Sequence, residues 1–335
     1  MSMKKEVQFA VLGGGSWATA IVKMLTENVS NVIWYMRSAE AIEFIKKQHH
    51  NPNYLTSVEF NLNQLTLTNV IDEAVSMADA LIFAIPSAFL ESELQKLTIP
   101  IAQKIVFSAI KGIVPETGKI VGEHFHEKYQ IPFENIGVIT GPCHAEEVAL
   151  ERLSYLTIAC ADSQKADLIA SYLASSYIKT KISDDIIGTE YAAMLKNIYA
   201  LAAGIAHGLG YGDNFQSVLM SNAIREMKRF ISRVHKMKRN INNSAYLGDL
   251  LVTGYSTFSR NRMFGNMIGK GYTVKSAKME MNMIAEGYYA TNSAFELKNN
   301  FPKKVRTPII DAVYAILYNQ ANAKKTFKEL ADQLD

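Results

Sequence analysis

Through its first 140 residues the chain alternates short apolar runs with segments of helical period, and this alternation constrains the fold more than any other feature. Residues 7–12, 32–36, 65–68, 80–85, 104–109 and 136–140 read as strands, several of them continuously apolar and suited to burial on both faces. Residues 16–26, 39–47, 70–77, 90–97 and 117–129 read as the helices between them. Strand–helix–strand repetition calls for a parallel sheet with right-handed crossovers. The first half is therefore an α/β domain, a Rossmann-type doubly wound, mostly parallel sheet. Two more strands, 155–160 and 178–182, flank a helix at 164–175 and extend it.

After Asp185 the pattern changes. The remaining residues are rich in Ala, Leu, Met, Lys and Glu with few β-branched runs, which predicts an all-α second domain. We place the boundary at the polar cluster Ser183-Asp184-Asp185, giving domains 1–185 and 186–335; a chain of 335 residues is long enough for two cores. Charge divides along the same line. Residues 1–185 hold 15 Lys and Arg against 21 Asp and Glu, a net −6; residues 186–335 hold 20 against 11, a net +9. A basic domain steers anions towards itself, whether nucleic acid, lipid or a phosphorylated metabolite.

Several classes of function drop out. No apolar run approaches the ~18 residues that span a bilayer. The start, Met1-Ser-Met-Lys-Lys-Glu, precedes too short an apolar run for a signal peptide, so a cytoplasmic protein is expected. Two cysteines, Cys143 and Cys160, cannot build a disulfide framework. His124 and His126 sit two apart in a predicted helix, where side chains diverge, so no metal site is expected. Arg225, Lys228, Arg229, Arg233 and Lys236 form a basic helical stripe without interleaved aromatic residues; it reads as a solvated face, not a nucleic-acid surface.

The first strand runs directly into Gly13-Gly14-Gly15-Ser16-Trp17-Ala18 and a helix. This is the G-x-G-x-x-A form of the dinucleotide-binding turn. Gly13 permits the tight turn, Gly15 lets the backbone approach a pyrophosphate, and Ala18 lets the helix pack closely on the sheet. At the end of the second strand, where an NAD enzyme usually carries an acid for the ribose, the chain reads Ile33-Trp34-Tyr35-Met36-Arg37. Arg37 can face a 2′-phosphate or stack on adenine, or simply lie on the surface. NADP or NAD is the expected cofactor, with a leaning to NADPH.

Residues 192–206 read AAMLKNIYALAAGIA. A helix apolar on every side belongs in a core, where Lys196 and Asn197 are expensive unless they have partners or line a wet site. Lys196 either snorkels to an edge or acts as a general acid/base whose pKa burial and nearby cations lower.

One set of motifs resembles the bacterial NAD(P)-dependent glycerol-3-phosphate dehydrogenase family, in the family's order from about residue 7 to about residue 318. It comprises Gly13 to Ala20, Lys111-Gly112, Gly141-Pro142-Cys143-His144-Ala145-Glu146-Glu147, Leu195-Lys196-Asn197, Leu247-Gly248-Asp249-Leu250, Ser259-Arg260-Asn261-Arg262 with Phe264-Gly265, and Glu286-Gly287. The resemblance implies reversible hydride transfer between sn-glycerol 3-phosphate and dihydroxyacetone phosphate, supplying phospholipid synthesis, by a homodimer. It implies that Lys196 carries the proton, with Lys111 polarising the same oxygen and Asp249 accepting a hydrogen bond from Lys196. Lys111, Gly141, Cys143, Lys196, Asp249, Ser259, Arg260 and Asn261 would surround the substrate. Gly13, Gly15, Ser16, Trp17, Arg37, Lys111, Ala145, Arg260, Ile284 and Glu286 would surround the dinucleotide, with the active site expected where the domains meet.

The chain departs from the family where Ser or Thr usually stands at Cys143 and Phe at His144, and where Gly254-Tyr255 replaces Cys-Thr. These positions touch fine specificity more than reaction class. Two other readings remain: a β-hydroxyacid type of two-domain dehydrogenase, and a dinucleotide-binding sensor without turnover. Ser259-Arg260-Asn261 favours phosphate over carboxylate, and turnover separates an enzyme from a sensor.

Overall fold

The computed structural model describes residues 6–281 and 285–335. The first part runs β1 (Phe9–Leu12), α1 (Ser16–Thr26), β2 (Val32–Tyr35), α2 (Ala39–Gln48), β3 (Leu65–Thr68), α3 (Ile71–Met77), β4 (Ala80–Phe83), α4 (Ser87–Leu94) and β5 (Ile105–Ser108). A short ribbon, β6 (Ile113–Val114) and β7 (Lys119–Ile120), leads to α5 (Val121–Tyr129) and β8 (Ile136–Thr140). Then come α6 (Ala145–Ala149), β9 (Ser154–Cys160), α7 (Ser163–Leu173) and β10 (Ile178–Ser183).

Eight strands form one sheet in the order β10-β9-β8-β5-β4-β1-β2-β3. β1 is central and fully buried, from Phe9 to Leu12, and pairs in parallel with β2 on one side and β4 on the other. The chain thus winds outward from β1 in both directions, which leaves a switch point at the C-terminal ends of β1 and β4. Within this eight-stranded sheet every pairing is parallel except β8 with β9. Only residues 141–153 join those two strands, with the five-residue α6 inside, where a parallel crossover usually needs a longer helix. At the β10 edge, exposed Lys179 and Lys181 oppose further pairing.

The helix expected over 117–129 begins instead at Val121. Gly118, at φ +67°, turns the ribbon, and Lys119 and Ile120 pair back as β7 before the helix starts. This detour also affects the domain division. One compact unit comprises the chain up to Ile110 with Lys119–Ile186; the other comprises Lys111–Gly118 with Ile187–Asp335. Lys111 groups with the helical unit, which a single cut after residue 185 does not provide.

The second unit contains α8 (Ile186–Gly208), α9 (Asp213–Val234), a turn of π-helix at Ser244–Gly248, α10 (Asp249–Tyr255), α11 (Arg260–Gly269), α12 (Val274–Glu280), α13 (Glu286–Asn299), α14 (Pro308–Tyr318) and α15 (Ala323–Ala331). Its axis is α8, buried without interruption from Thr189 to Ala206. α11 lies against α8 backbone to backbone. A Cβ on Gly204 would meet the Arg262 carbonyl oxygen at 2.1 Å, and one on Gly265 the Leu201 oxygen at 2.2 Å. Gly208 and Gly269, four residues further on, make the equivalent contacts at 2.3 and 2.4 Å. Two small-residue stripes, four apart on each helix, thereby let the axes approach. Buried Glu226 on α9 anchors α14 by accepting from the N–H groups of Ile309 (2.9 Å) and Ile310 (3.0 Å), while burial pushes its carboxyl up to about 8. Among the described residues, no helix is long and apolar enough to cross a membrane.

Candidate functional site

The glycine turn leaves β1 at the switch point. Gly13 adopts φ +137°, and a Cβ there would lie 2.4 Å from the Ala84 oxygen after β4, so only glycine fits. Its carbonyl accepts from Trp34 Nε1 at 2.7 Å, and that of Gly14 accepts from Asn51 Nδ2 at 3.1 Å. Asn51 also donates to Thr19 Oγ1 (3.0 Å) and accepts from the N–H groups of Asn53 and Tyr54. Sequence reasoning missed Asn51, because nothing local links residue 51 to residue 14.

With two turn carbonyls tied back, the N-terminus of α1 is left open. Gly15 caps it with no side chain, and a Cβ on Gly15 would meet nothing within 4 Å. Ser16 and Trp17 form the first turn of that helix. Beside them is a cavity of about 280 Å³ bordered by Gly13–Gly15, Arg37, Ser38 and Phe89. The Arg37 guanidinium lies 5.5 Å from the Phe89 ring centre, a cation–π arrangement that holds it at the cavity wall. A glycine turn, a helix N-terminus without a side-chain cap and an anchored arginine suit a dinucleotide.

Gly141 follows β8 at φ +116° and passes within 2.8 Å, measured from an added Cβ, of the Tyr155 oxygen. Cys143 is buried among the first unit's hydrophobic residues, and Ala145 opens α6. A contact from Cys143 to substrate would therefore use its backbone rather than its thiol. Ile284 lies outside the described residues.

The helical unit holds the ionisable groups. Lys196 is 3% exposed and donates a short hydrogen bond to Asp249 Oδ1. Burial lowers the ammonium to about 8; Asp249 opposes that shift and Lys111 adds to it. Asp249 Oδ2 is buried with no hydrogen-bond partner among the described residues. Asn197 Nδ2 donates to the Lys111 carbonyl at 3.0 Å, and Asn197 Oδ1 accepts from Asn261 Nδ2 at 3.0 Å. Asn261 Oδ1 in turn accepts from the Gly287 N–H at 2.8 Å. This amide relay fixes the Lys111 segment, α8, α11 and α13 around one lysine.

The relay changes the part Asn261 can play. Its side-chain oxygen is committed to Gly287 and one amide N–H to Asn197, which leaves its second amide N–H and its backbone N–H as donors. Ser259 caps α11, accepting from the Arg262 N–H at 3.3 Å, which leaves its hydroxyl proton to donate elsewhere. Arg260 opens that helix, half-buried and without an ion-pair or hydrogen-bond partner among the described residues. Glu286 opens α13. At Gly254 the missing Cβ is matched by Met220, whose sulfur would sit 2.8 Å from it. His124 approaches Glu91 at 3.1 Å, while His126 turns to the Ile131 carbonyl; the two rings diverge.

A glycine turn suited to a dinucleotide in one unit and a buried lysine of lowered pKa in the other are the kinds of element that hydride transfer at an alcohol carbon requires. They define a Rossmann-type NAD(P)-dependent dehydrogenase. Comparison with known proteins narrows this class. Residues 8–166 match the NAD-dependent glycerol-3-phosphate dehydrogenase N-terminus and residues 185–328 its C-terminus, and the chain belongs to that family. It is 34% identical over 329 residues, 98% of each chain, to the NAD(P)+ glycerol-3-phosphate dehydrogenase of Macrococcus caseolyticus. With that of Corynebacterium jeikeium the identity is 35% over 323 residues, 95% of this chain and 96% of the relative. The crystal structure of glycerol-3-phosphate dehydrogenase from Coxiella burnetii superposes with a TM-score of 0.88 at 26% identity, covering 97% of this chain and 98% of that one.

Proposed function

We propose that the protein interconverts sn-glycerol 3-phosphate and dihydroxyacetone phosphate with NAD(P). The observation that carries this reading is Lys196: a buried ammonium on α8, lowered to about 8 and paired to Asp249. Such a group exchanges a proton near neutral pH. Nicotinamide, when bound, supplies or accepts the hydride. Neutral Lys196 takes the C2 hydroxyl proton in the oxidation, and protonated Lys196 returns it to the carbonyl oxygen in the reduction. Lys111 stabilises negative charge on that oxygen, while Asp249 Oδ1 holds Lys196 and Oδ2 is left to accept from a substrate hydroxyl. The phosphate is received by the N-terminus of α11, with the backbone N–H groups of Arg260 and Asn261, the Ser259 hydroxyl and the Arg260 guanidinium.

Gly13, Gly15, Ser16 and Trp17 would hold the pyrophosphate, and Arg37 the adenosine end, where it favours NADP over NAD. Ala145, Arg260 and Glu286 are assigned to the dinucleotide from the family resemblance, as are Gly141 and Cys143 to the substrate. The same resemblance supports a cytoplasmic homodimer feeding phospholipid synthesis. One assay tests the reading: NADPH absorbance should fall when dihydroxyacetone phosphate is added and hold steady with a β-keto acid. NADPH binding without turnover would make the protein a sensor, and preference for the keto acid would make it a hydroxyacid dehydrogenase.

A further inference from the structure

A second concavity, of about 920 Å³, lies in the helical unit, apart from the residues assigned above. It is formed where α11 turns into α12 and where α14 turns into α15. Its floor includes Ile268, Ile316 and Leu317, all nearly buried. Around it stand Lys270, Lys275, Lys278 and Lys324, and no Asp or Glu lines it. None of the four lysines forms an ion pair or hydrogen bond among the described residues, although Lys270, Lys275 and Lys278 occupy nine consecutive residues.

Elsewhere in this protein exposed lysines are often neutralised: Lys46 by Glu43, Lys96 by Glu93 and Lys325 by Glu329. Here the repulsion is uncompensated. Lys270 is also the C-cap residue of α11, whose carbonyl end offsets at most about half a charge. Lys278 is held over the Tyr288 ring, its Nζ 3.3 Å from the centroid, so one side chain is fixed in place without a carboxylate partner among the described residues. The Tyr272 ring, 48% exposed, stands in the same wall. Four unpaired cations around a concave surface concentrate anions, and a hollow of this size exceeds the needs of a single phosphate.

We propose that this hollow binds a soluble polyanion with several linked phosphates, a nucleoside triphosphate being of matching charge and size, with Tyr272 offering a face to the base. The site is distinct from the dehydrogenase centre. Arg260 and Gly269, at opposite ends of α11, are about 14 Å apart by helical rise, so a ligand here touches the far end of the helix whose start is assigned to the substrate phosphate.

The test uses the full-length protein saturated with NADPH, so that the glycine turn is already filled. It is titrated calorimetrically at low salt with ATP, inorganic triphosphate and inorganic phosphate. ATP and triphosphate should each fill one site, with inorganic phosphate at least about tenfold weaker. ATP binding more tightly than triphosphate would assign the base to Tyr272, and equal affinity would assign binding to the phosphates alone; both support a polyphosphate site. The K275A/K324A variant should bind ATP at least about tenfold more weakly, with KM for dihydroxyacetone phosphate and NADPH within about twofold of the parent. No saturable binding up to about 1 mM, undiminished affinity in the double variant, or binding seen only when NADPH is omitted would overturn the proposal.

Discussion

Lys196 sets chemistry against folding. Burial of an ammonium is costly, and the Asp249 carboxylate offsets part of that cost while holding the amine in place. With burial lowering Lys196 to about 8, kcat/KM for the reduction, which in the proposed mechanism needs the protonated amine, should fall as pH rises through about 8. The oxidation, which needs the neutral amine, should rise over the same window. Lys196→Ala should lower turnover by about 10² or more with NADPH affinity nearly intact, read by stopped-flow kinetics and fluorescence titration. Asp249 is what raises the amine against burial, so Asp249→Asn should move the reduction limb to lower pH; an unmoved limb would detach Asp249 from this role. Arg260→Ala should weaken productive substrate binding by roughly ten- to 150-fold, the equivalent of about 1.5–3 kcal/mol of charge-assisted bonding. Unchanged kinetics would remove Arg260 from the site.

At the scale of elements, three glycines separate folding from binding. Gly265 on α11 and Gly13 after β1 each face a backbone oxygen closer than any Cβ can approach, at 2.2 and 2.4 Å. Gly15 faces nothing within 4 Å and has ordinary extended backbone, φ −82°. Alanine at Gly265 or Gly13 should therefore destabilise the protein by about 1–3 kcal/mol or more, seen as a lower Tm. Alanine at Gly15 should cost only a few tenths of a kcal/mol yet weaken NADPH binding, because its methyl would enter the open space proposed for the pyrophosphate. Equal Tm losses in all three would contradict this division. The amide relay from the Lys111 carbonyl through Asn197 and Asn261 to Gly287 likewise joins elements far apart in sequence. Asn197 stood out as a polar residue in an apolar helix, but its partners left no trace in local pattern.

For the molecule as a whole, the −6 and +9 of the two sequence halves set the field that a dianionic substrate meets. Raising ionic strength should lower kcat/KM for dihydroxyacetone phosphate more than kcat, since screening weakens steering and capture but not the proton transfer. A salt-independent kcat/KM would confine the attraction to Arg260 and its neighbours. The basic stripe of α9 is partly absorbed by the C-terminal segment: Arg225 pairs with Asp335, and Arg229 donates to the Arg306 carbonyl at 3.2 Å.

The eight strands of the main sheet, the glycine turn and the misplaced lysine were legible from residue order, because side-chain period, turn geometry and the cost of a buried charge are properties of a few neighbouring residues. The antiparallel β8–β9 pair, the regrouping of 111–118, Asn51 beneath the turn and the glycine contacts of α8 with α11 were not. Family resemblance named Lys111 and Asp249, yet local pattern alone offered no reason to set either beside Lys196. Asp249 is 53 residues from Lys196 along the chain. Local chemistry determines which groups a segment presents; tertiary packing decides which of those groups meet, since that depends on distances through space that no short window of sequence contains.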